Sequence, residues 1–168
     1  RDMAKTFIYA FLLGAGNAKV AQILKVNQKE ANQAVENFMQ SIQGLAELKK
    51  KIIPHIAKRG WFRGLDGRKV VVPSEHKTLA GMLQNGESTI MKHAALDWVH
   101  KAKRQWIDFK LVTWPHDEWQ TEVRGQMKDA ELLGDIQRQS IVDTGKKLGI
   151  MCPLAGSTDI GYNWKDTH

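Results

Sequence analysis

Two groups of side chains in this sequence have the residue types and spacing for chemistry. The first is His116-Asp117-Glu118. Between Phe109 and Val123, two short runs rich in β-branched and aromatic residues flank Pro115-His116-Asp117-Glu118. This is the pattern of a hairpin with its acids at the turn. Successive side chains on a strand face opposite ways, so Asp117 and Glu118 diverge, and at most one looks straight into a given site. A carboxylate held on a rigid hairpin beside a histidine suits a hard cation such as Mg²⁺. The plain alternative is a solvated polar turn, which these residues taken alone favour. The second group is Arg1, Lys5 and Tyr9, which the i, i+4, i+8 spacing places in one stripe along a helix. Two cations one turn apart, followed by an aromatic, could grip a triphosphate and cover the sugar or base beside it. On an anonymous helix, a solvated basic face with a rim tyrosine is the commoner meaning.

The elements that must position these groups follow from periodicity. Residues 1–13 form a helix punctuated at Gly14 and Gly16, with Ala4, Phe7, Ile8 and Phe11 on its apolar face. A second short helix covers Ala18 to Val26. Asn27, with Glu30 three residues on, caps a third helix whose stripe is Ala31, Ala34, Val35, Phe38 and Met39. After Gly44 a further helix carries Leu48, Ile52 and Ile56 to Gly60, kinked or interrupted by Pro54. Lys49-Lys50-Lys51 in this helix is most simply a solvated face, with phosphate contact as the alternative. Asp66-Gly67 between apolar flanks marks a hairpin in Trp61 to Pro73. Ser74 then opens the longest helix, running to about Trp106 on Leu79, Met82, Leu83, Ile90, Ala94, Trp98 and Val99. Gly81 and Gly86 weaken it by about 1 kcal/mol each relative to alanine, which marks close approach of another backbone or of nucleic acid. Gln84 lies between them on an open face. A last helix, about Lys128 to Leu148, buries Leu132, Leu133, Ile136, Ile141 and Leu148 and stops at Gly149. The tail has one aromatic anchor, Trp164.

Composition sets the outer limits. The 168 residues suffice for one domain or part of a larger one, and the net charge of +7 with pI near 9.5 points to a polyanionic partner, nucleic acid first. The single cysteine, Cys152, excludes an internal disulfide and a cysteine-cluster metal site, as expected of a reducing compartment. No apolar run is long enough to span a membrane. The chain opens at Arg1 inside a helical pattern, the look of a piece of something longer. His93 and His100 read as polar-face histidines without a third ligand, Trp98, Trp106, Trp114 and Trp119 as core or hairpin packing, and Met82, Met91 and Met127 as core fillers.

With both ends considered, the sequence resembles the C-terminal part of a family A DNA polymerase, most nearly the short bacteriophage replicative type. Arg1-Asp2-Met3-Ala4-Lys5-Thr6-Phe7-Ile8-Tyr9 resembles the fingers helix Arg-x-x-x-Lys-x-x-x-(Phe/Tyr), and His116-Asp117-Glu118 the palm motif His-Asp-Glu. Gly64-Leu65-Asp66-Gly67-Arg68-Lys69, Leu83-Gln84 and the closing Gly161-Tyr162-Asn163-Trp164 through His168 match the phage branch in order and approximate spacing. The resemblance implies an α+β fold, with a mostly helical fingers subdomain over 1–73 and the C-terminal part of the palm, bearing the acidic hairpin, over 74–168. It implies a DNA-directed DNA polymerase acting on dNTP and primer–template DNA in a bacterial host's cytoplasm. Arg1 and Lys5 would bind the nucleotide's phosphates, with Lys5 as a proton donor to pyrophosphate. Tyr9 would pack on the sugar, where tyrosine accompanies acceptance of dideoxynucleotides. Asp117 would be a ligand shared by two Mg²⁺ ions, with Glu118 an auxiliary acid. His116 would touch the primer terminus, Gln84 the minor-groove edge of the terminal base pair, and Arg68 the DNA.

Departures from the pattern bear on template positioning and fidelity: Ala10 stands where the family has glycine, Leu13 where it has the template-side tyrosine, and Ala80 where asparagine is common. The family's other metal-binding aspartate, on a strand motif like Asp-Tyr-Ser-x-x-Glu, belongs upstream of Arg1. The expectation is therefore a chain inactive until joined by a polypeptide carrying the upstream half, that is, the exonuclease, thumb and first palm motif. A non-catalytic basic module binding nucleic acid is the alternative; a metal-dependent nuclease lacks further carboxylates on one surface.

Overall fold

The computed structural model describes residues 1–167, which order as α1 (Asp2–Leu12), α2 (Asn17–Leu24), α3 (Gln28–Ser41), α4 (Leu45–Glu47), α5 (Ile53–Arg59), β1 (Trp61–Arg63), β2 (Lys69–Val71), α6 (Glu75–Arg104), β3 (Asp108–Thr113), β4 (Gln120–Arg124) and α7 (Met127–Lys147). The expected α+β class holds: helices dominate, with two antiparallel hairpins. The chain forms two compact units, Arg1–Asn85 and Gly86–His168, with the boundary inside α6.

In the first unit, α1 packs through Phe7 and Phe11, and Phe38 of α3 stands edge-on to both rings, with centroids 5.2 Å away in each case. That geometry suits the ring quadrupoles and leaves a contact line one phenylalanine wide. Ala4 and Ile8, expected on this buried face, flank the line and are exposed. The Asn27 cap forms as the sequence predicts: its side chain accepts from the Glu30 N–H at 2.9 Å, while the Glu30 carboxylate accepts from the Asn27 N–H at 3.2 Å. Between α4 and α5 the helix widens to π geometry over Leu48–Ile52. Pro54 supplies the cause, since its ring cannot donate to, and would collide with, the carbonyl four residues earlier. The β1–β2 hairpin turns at Gly67 (φ 79°) with Trp61 opposite Val71 and Phe62 opposite Val70, and Phe62 joins Ile56, Val72 and Met82 in a small core. A Cβ on Gly14 would meet the His76 carbonyl oxygen at 2.1 Å, so only glycine fits there.

In the second unit, the β3–β4 hairpin lies on the core built by α6 and α7. Ala95, Trp98, Ala102, Ile107 and Leu133 are buried together, with Phe109, Trp119 and Val123 of the hairpin packed against them. A bulge between Leu111 and Thr113 shifts the register before the turn. Lys101 of α6 pairs with Asp143 of α7 at 2.8 Å and with Asp97 one turn back at 2.6 Å. The tail folds back along α7. Thr158 donates to the Gly134 carbonyl at 3.4 Å, and Cβ atoms at Gly134 and Gly145 would press within 2.5 and 2.9 Å of Thr158 and Leu154.

Several packing expectations fail. Trp106 is 93% exposed, because it occupies the left-handed residue (φ 57°) that closes α6 and points away from the core. Met127, 46% exposed, opens α7 one turn ahead of the apolar stripe, and Leu83 and Leu132 also face outward. Trp164 leaves about half of its surface exposed. A Cβ at Gly81 would meet nothing within 4 Å, so no other backbone approaches it.

Candidate active site

The acidic turn is built on a ladder of indoles. Trp98 lies at the base with Trp119 5.7 Å away, and Trp114 sits edge-on to Trp119 at 6.1 Å. Trp114 Nε1 donates to the His116 carbonyl at 3.1 Å, and the Glu118 N–H closes the turn on the Pro115 carbonyl at 3.0 Å. His116 takes a left-handed conformation, φ 48°, uncommon for a non-glycine residue and a feature of sites that hold a side chain in a set direction. The two acids lie in the turn between the strands rather than on either strand, and they differ in burial. Asp117 is exposed, whereas Glu118 is half-buried and accepts a bond from Gln120 Nε2. Both line a cleft of about 570 Å³ whose other walls are α7 and the tail, Ala155 to Gly161.

One lining residue had drawn no notice in the sequence. Gln137 of α7 exposes only 9% of its surface, and its Nε2 has no hydrogen-bond partner. A buried amide left unpaired costs about 1–3 kcal/mol, which makes Gln137 a cleft residue able to donate to whatever enters. The available signal was a glutamine among Leu133, Ile136 and Ser140 on the buried side of α7.

As a hard oxygen donor Asp117 suits Mg²⁺. The number of donors does not complete a site, because no group of three or more His, Cys, Asp or Glu able to hold a metal ion occurs among the described residues. His93 and His100 stay outside any such group.

The first unit presents the other predicted set. Burial of Phe7 and Phe11 fixes the opposite side of α1 outward, so Arg1, Lys5 and Tyr9 are all exposed, with Lys5 Nζ 5.8 Å from the centre of the Tyr9 ring. Gln84 stands exposed on α6. Arg68 is partly committed. Its backbone N–H bonds Asp66 Oδ1 at 3.2 Å and its guanidinium pairs with Oδ2, and the backbone bond and ion pair together hold the Asp66 carboxyl below its ordinary value despite burial. The lysine run divides: burial over the Phe11 ring, 4.7 Å away, depresses the Lys49 pKa, Lys50 pairs with Glu36 at 2.9 Å, and Lys51 is exposed with Glu47 3.9 Å away.

Comparison with known proteins agrees with this architecture. The sequence profile of DNA polymerase family A matches residues 1–166, and the chain belongs to that family. It is 30% identical over 192 residues to the DNA-directed DNA polymerase of Enterobacteria phage T3, covering 100% of this chain and 27% of that protein. To the corresponding polymerase of Escherichia phage Phieco32 it is 33% identical over 178 residues, covering 28% of that protein. The chain thus spans little more than a quarter of the length of the curated relatives it matches. Among solved structures, the polymerase domain of Pol1 from M. smegmatis, in complex with DNA primer–template and dNTP, matches with a TM-score of 0.75 at 18% identity, over 85% of this chain and 27% of that one.

Proposed function

We propose that these residues are the fingers (1–73) and C-terminal palm (74–168) portion of a DNA-directed DNA polymerase that adds nucleotides to a primer 3′-hydroxyl. The observation that carries the reading is an exposed Asp117 beside a half-buried Glu118 at the turn of a hairpin, in a chain matched over 1–166 by DNA polymerase family A. Arg1 and Lys5 hold the phosphates of the incoming dNTP, Lys5 gives its proton to the departing pyrophosphate, and Tyr9 packs on the sugar. His116 orients the primer terminus. Gln84 checks the minor-groove edge of the terminal pair, where acceptors are the same for either orientation of A·T, and Arg68 contacts DNA. Asp117 holds Mg²⁺ jointly with an aspartate from outside these 168 residues, and Glu118 assists from the cleft side. When bound, the metal neutralises the phosphates and activates the 3′-hydroxyl.

The outside aspartate comes on an upstream segment, of the same polypeptide or another. Among the described residues β4 pairs only with β3, its residues Gln120, Thr121 and Val123 line the cleft, and the Gln137 amide that also lines it lacks an acceptor. A strand added beside β4 would meet both needs.

The test is Asp117→Ala in a polymerase that contains this chain and the upstream half. Primer extension falls by about a thousandfold or more, as expected when several kcal/mol of charge stabilisation are lost, while primer–template affinity stays within about threefold. Unchanged extension would leave the chain a basic DNA-binding module instead.

A further inference from the structure

The outer face of α6 in the second unit carries a stripe that nothing in the polymerase reading uses. At 100° per residue, Lys92, Leu96, His100 and Lys103 fall within one narrow sector, with Arg104 on its flank. All five are exposed, and Leu96 is 74% exposed at the centre. The opposite side, through Met91, Ala94, Ala95, Trp98 and Ala102, is buried. Asp97, on the flank of the helix, is held by Lys101 at 2.6 Å.

The stripe ends at Trp106. The Ile107 N–H reaches back to the Ala102 carbonyl at 3.2 Å, the Trp106 N–H to the Lys103 carbonyl at 3.1 Å, and Ile107 packs on Ala102. This is the Schellman closure, in which the residue before the final apolar contact is normally glycine because its φ is positive. Trp106 holds that place at φ 57° with 93% of its surface in solvent. The left-handed conformation disfavours a bulky side chain, and here the indole recovers nothing by packing within the chain. A strained, rigidly held tryptophan facing solvent is the kind of outlier that points to use by a partner.

We propose that this face docks an acidic polypeptide segment bearing two apolar side chains, one seated on Leu96 and the other on Trp106. The two anchors stand about 15 Å apart along the helix, from its rise per residue. Lys92 and Lys103 stand on either side of Leu96, and Lys103 and Arg104 precede Trp106, which matches a segment with Asp or Glu around its first apolar residue and between the two. Leu96 decides against nucleic acid. A leucine at the centre of the stripe offers a base neither charge nor an aromatic face, and single-stranded nucleic acid tracks rely on repeated aromatics between the cations.

The test uses a fluorescent 20-residue peptide of Asp and Glu with Leu and Phe anchors spaced to match, a peptide of the same charge with both anchors changed to Ser, and oligo(dT) as probes. Anisotropy titrations compare the parent chain with Leu96→Gln, Trp106→Gly and Lys103→Glu. The anchored peptide binds the parent, loses about tenfold or more in affinity with each variant, and binds better than its Ser counterpart. Oligo(dT) binding is untouched by Leu96→Gln and Trp106→Gly. Trp106→Gly melts at or above the parent temperature, because glycine relieves the left-handed residue. Any one of four results overturns the proposal: no peptide binding, equal binding of the Ser peptide, oligo(dT) weakened in parallel, or a Trp106→Gly variant that melts lower. In a longer polymerase containing this chain, protection of Trp106 from hydroxyl radicals without any partner would also overturn it, since the polymerase itself would then cover the face.

Discussion

On the proposed reading, Lys5 and Tyr9 matter for chemistry while contributing little to folding. The Lys5 ammonium lies 5.8 Å from the Tyr9 ring, and an exposed cation–π pair is worth about 0.5–1 kcal/mol. Lys5→Ala should therefore move the urea midpoint only slightly, yet lower nucleotide incorporation in the assembled polymerase by about 10²–10⁴-fold, the range for losing a positioned proton donor. Equal losses in stability and activity would remove Lys5 from the chemistry. Tyr9→Phe keeps the ring and removes the hydroxyl, so dNTP use should persist while dideoxynucleotide incorporation falls, measured by competing the two on one template. The stripe was legible because i, i+4, i+8 spacing fixes a helical face whatever else the chain does, whereas the roles proposed for it come from the resemblance to the fingers helix. Gln137 was not legible. Its meaning depends on a cleft closed by the tail some twenty residues later, a contact with no local pattern.

At the scale of elements, local signals served well wherever one turn of chain decides the outcome. The Asn27–Glu30 cap, the Asp66-Gly67 hairpin and the stop at Gly149 formed as the sequence implied, since each depends on a few neighbouring dihedrals. Asn27→Ala should cost about 1 kcal/mol of stability. The α6–α7 pairing was less visible. Asp97 and Lys101 have the i, i+4 spacing, but Asp143 lies on another helix. Burial pushes the Asp97 carboxyl up, and the Lys101 ammonium outweighs it and holds the group below its ordinary 3.8. Hydrogen bonding from Lys101 lowers Asp143 likewise, and bonding to Asp143 and Asp97 raises Lys101 above 10.5. Depressed carboxyls contribute stability above their ordinary values and lose it as pH falls through the lowered ones; the raised lysine contributes below its ordinary value and loses it above. Lys101→Met should thus cost about 0.5–1 kcal/mol, evenly between about pH 5 and 9, because the pair is partly solvated. The deficit should close as the pH drops below about 4. A deficit that persists at pH 2 would mean that the lysine stem, rather than its charge, holds the helices.

On the proposed reading, the chain supplies a folded scaffold whose acidic cleft is completed by an upstream strand. Trp98, Leu133 and the packed hairpin give the second unit a core of its own. Among the described residues no group of three metal-ligating side chains occurs, β4 pairs only with β3, and the Gln137 amide lining the cleft has no partner. The proposed upstream strand would answer all three, because a strand brings backbone partners for an edge, carbonyls for a donor and side chains for a site together. Hydrogen exchange can test this without reference to catalysis. In the isolated chain the N–H groups of β4 that bond to β3 should exchange slowly and the alternate ones, directed away from β3, quickly. On addition of a polypeptide bearing the upstream half, the alternate amides from Gln120 to Arg124 should slow by about a hundredfold or more, together with amides of residues 155–161. Templated extension should appear in the same mixture and be absent from the chain by itself. Extension without any change in β4 exchange would place the missing aspartate elsewhere. Extension by the 168 residues alone would show that Asp117 and Glu118 suffice.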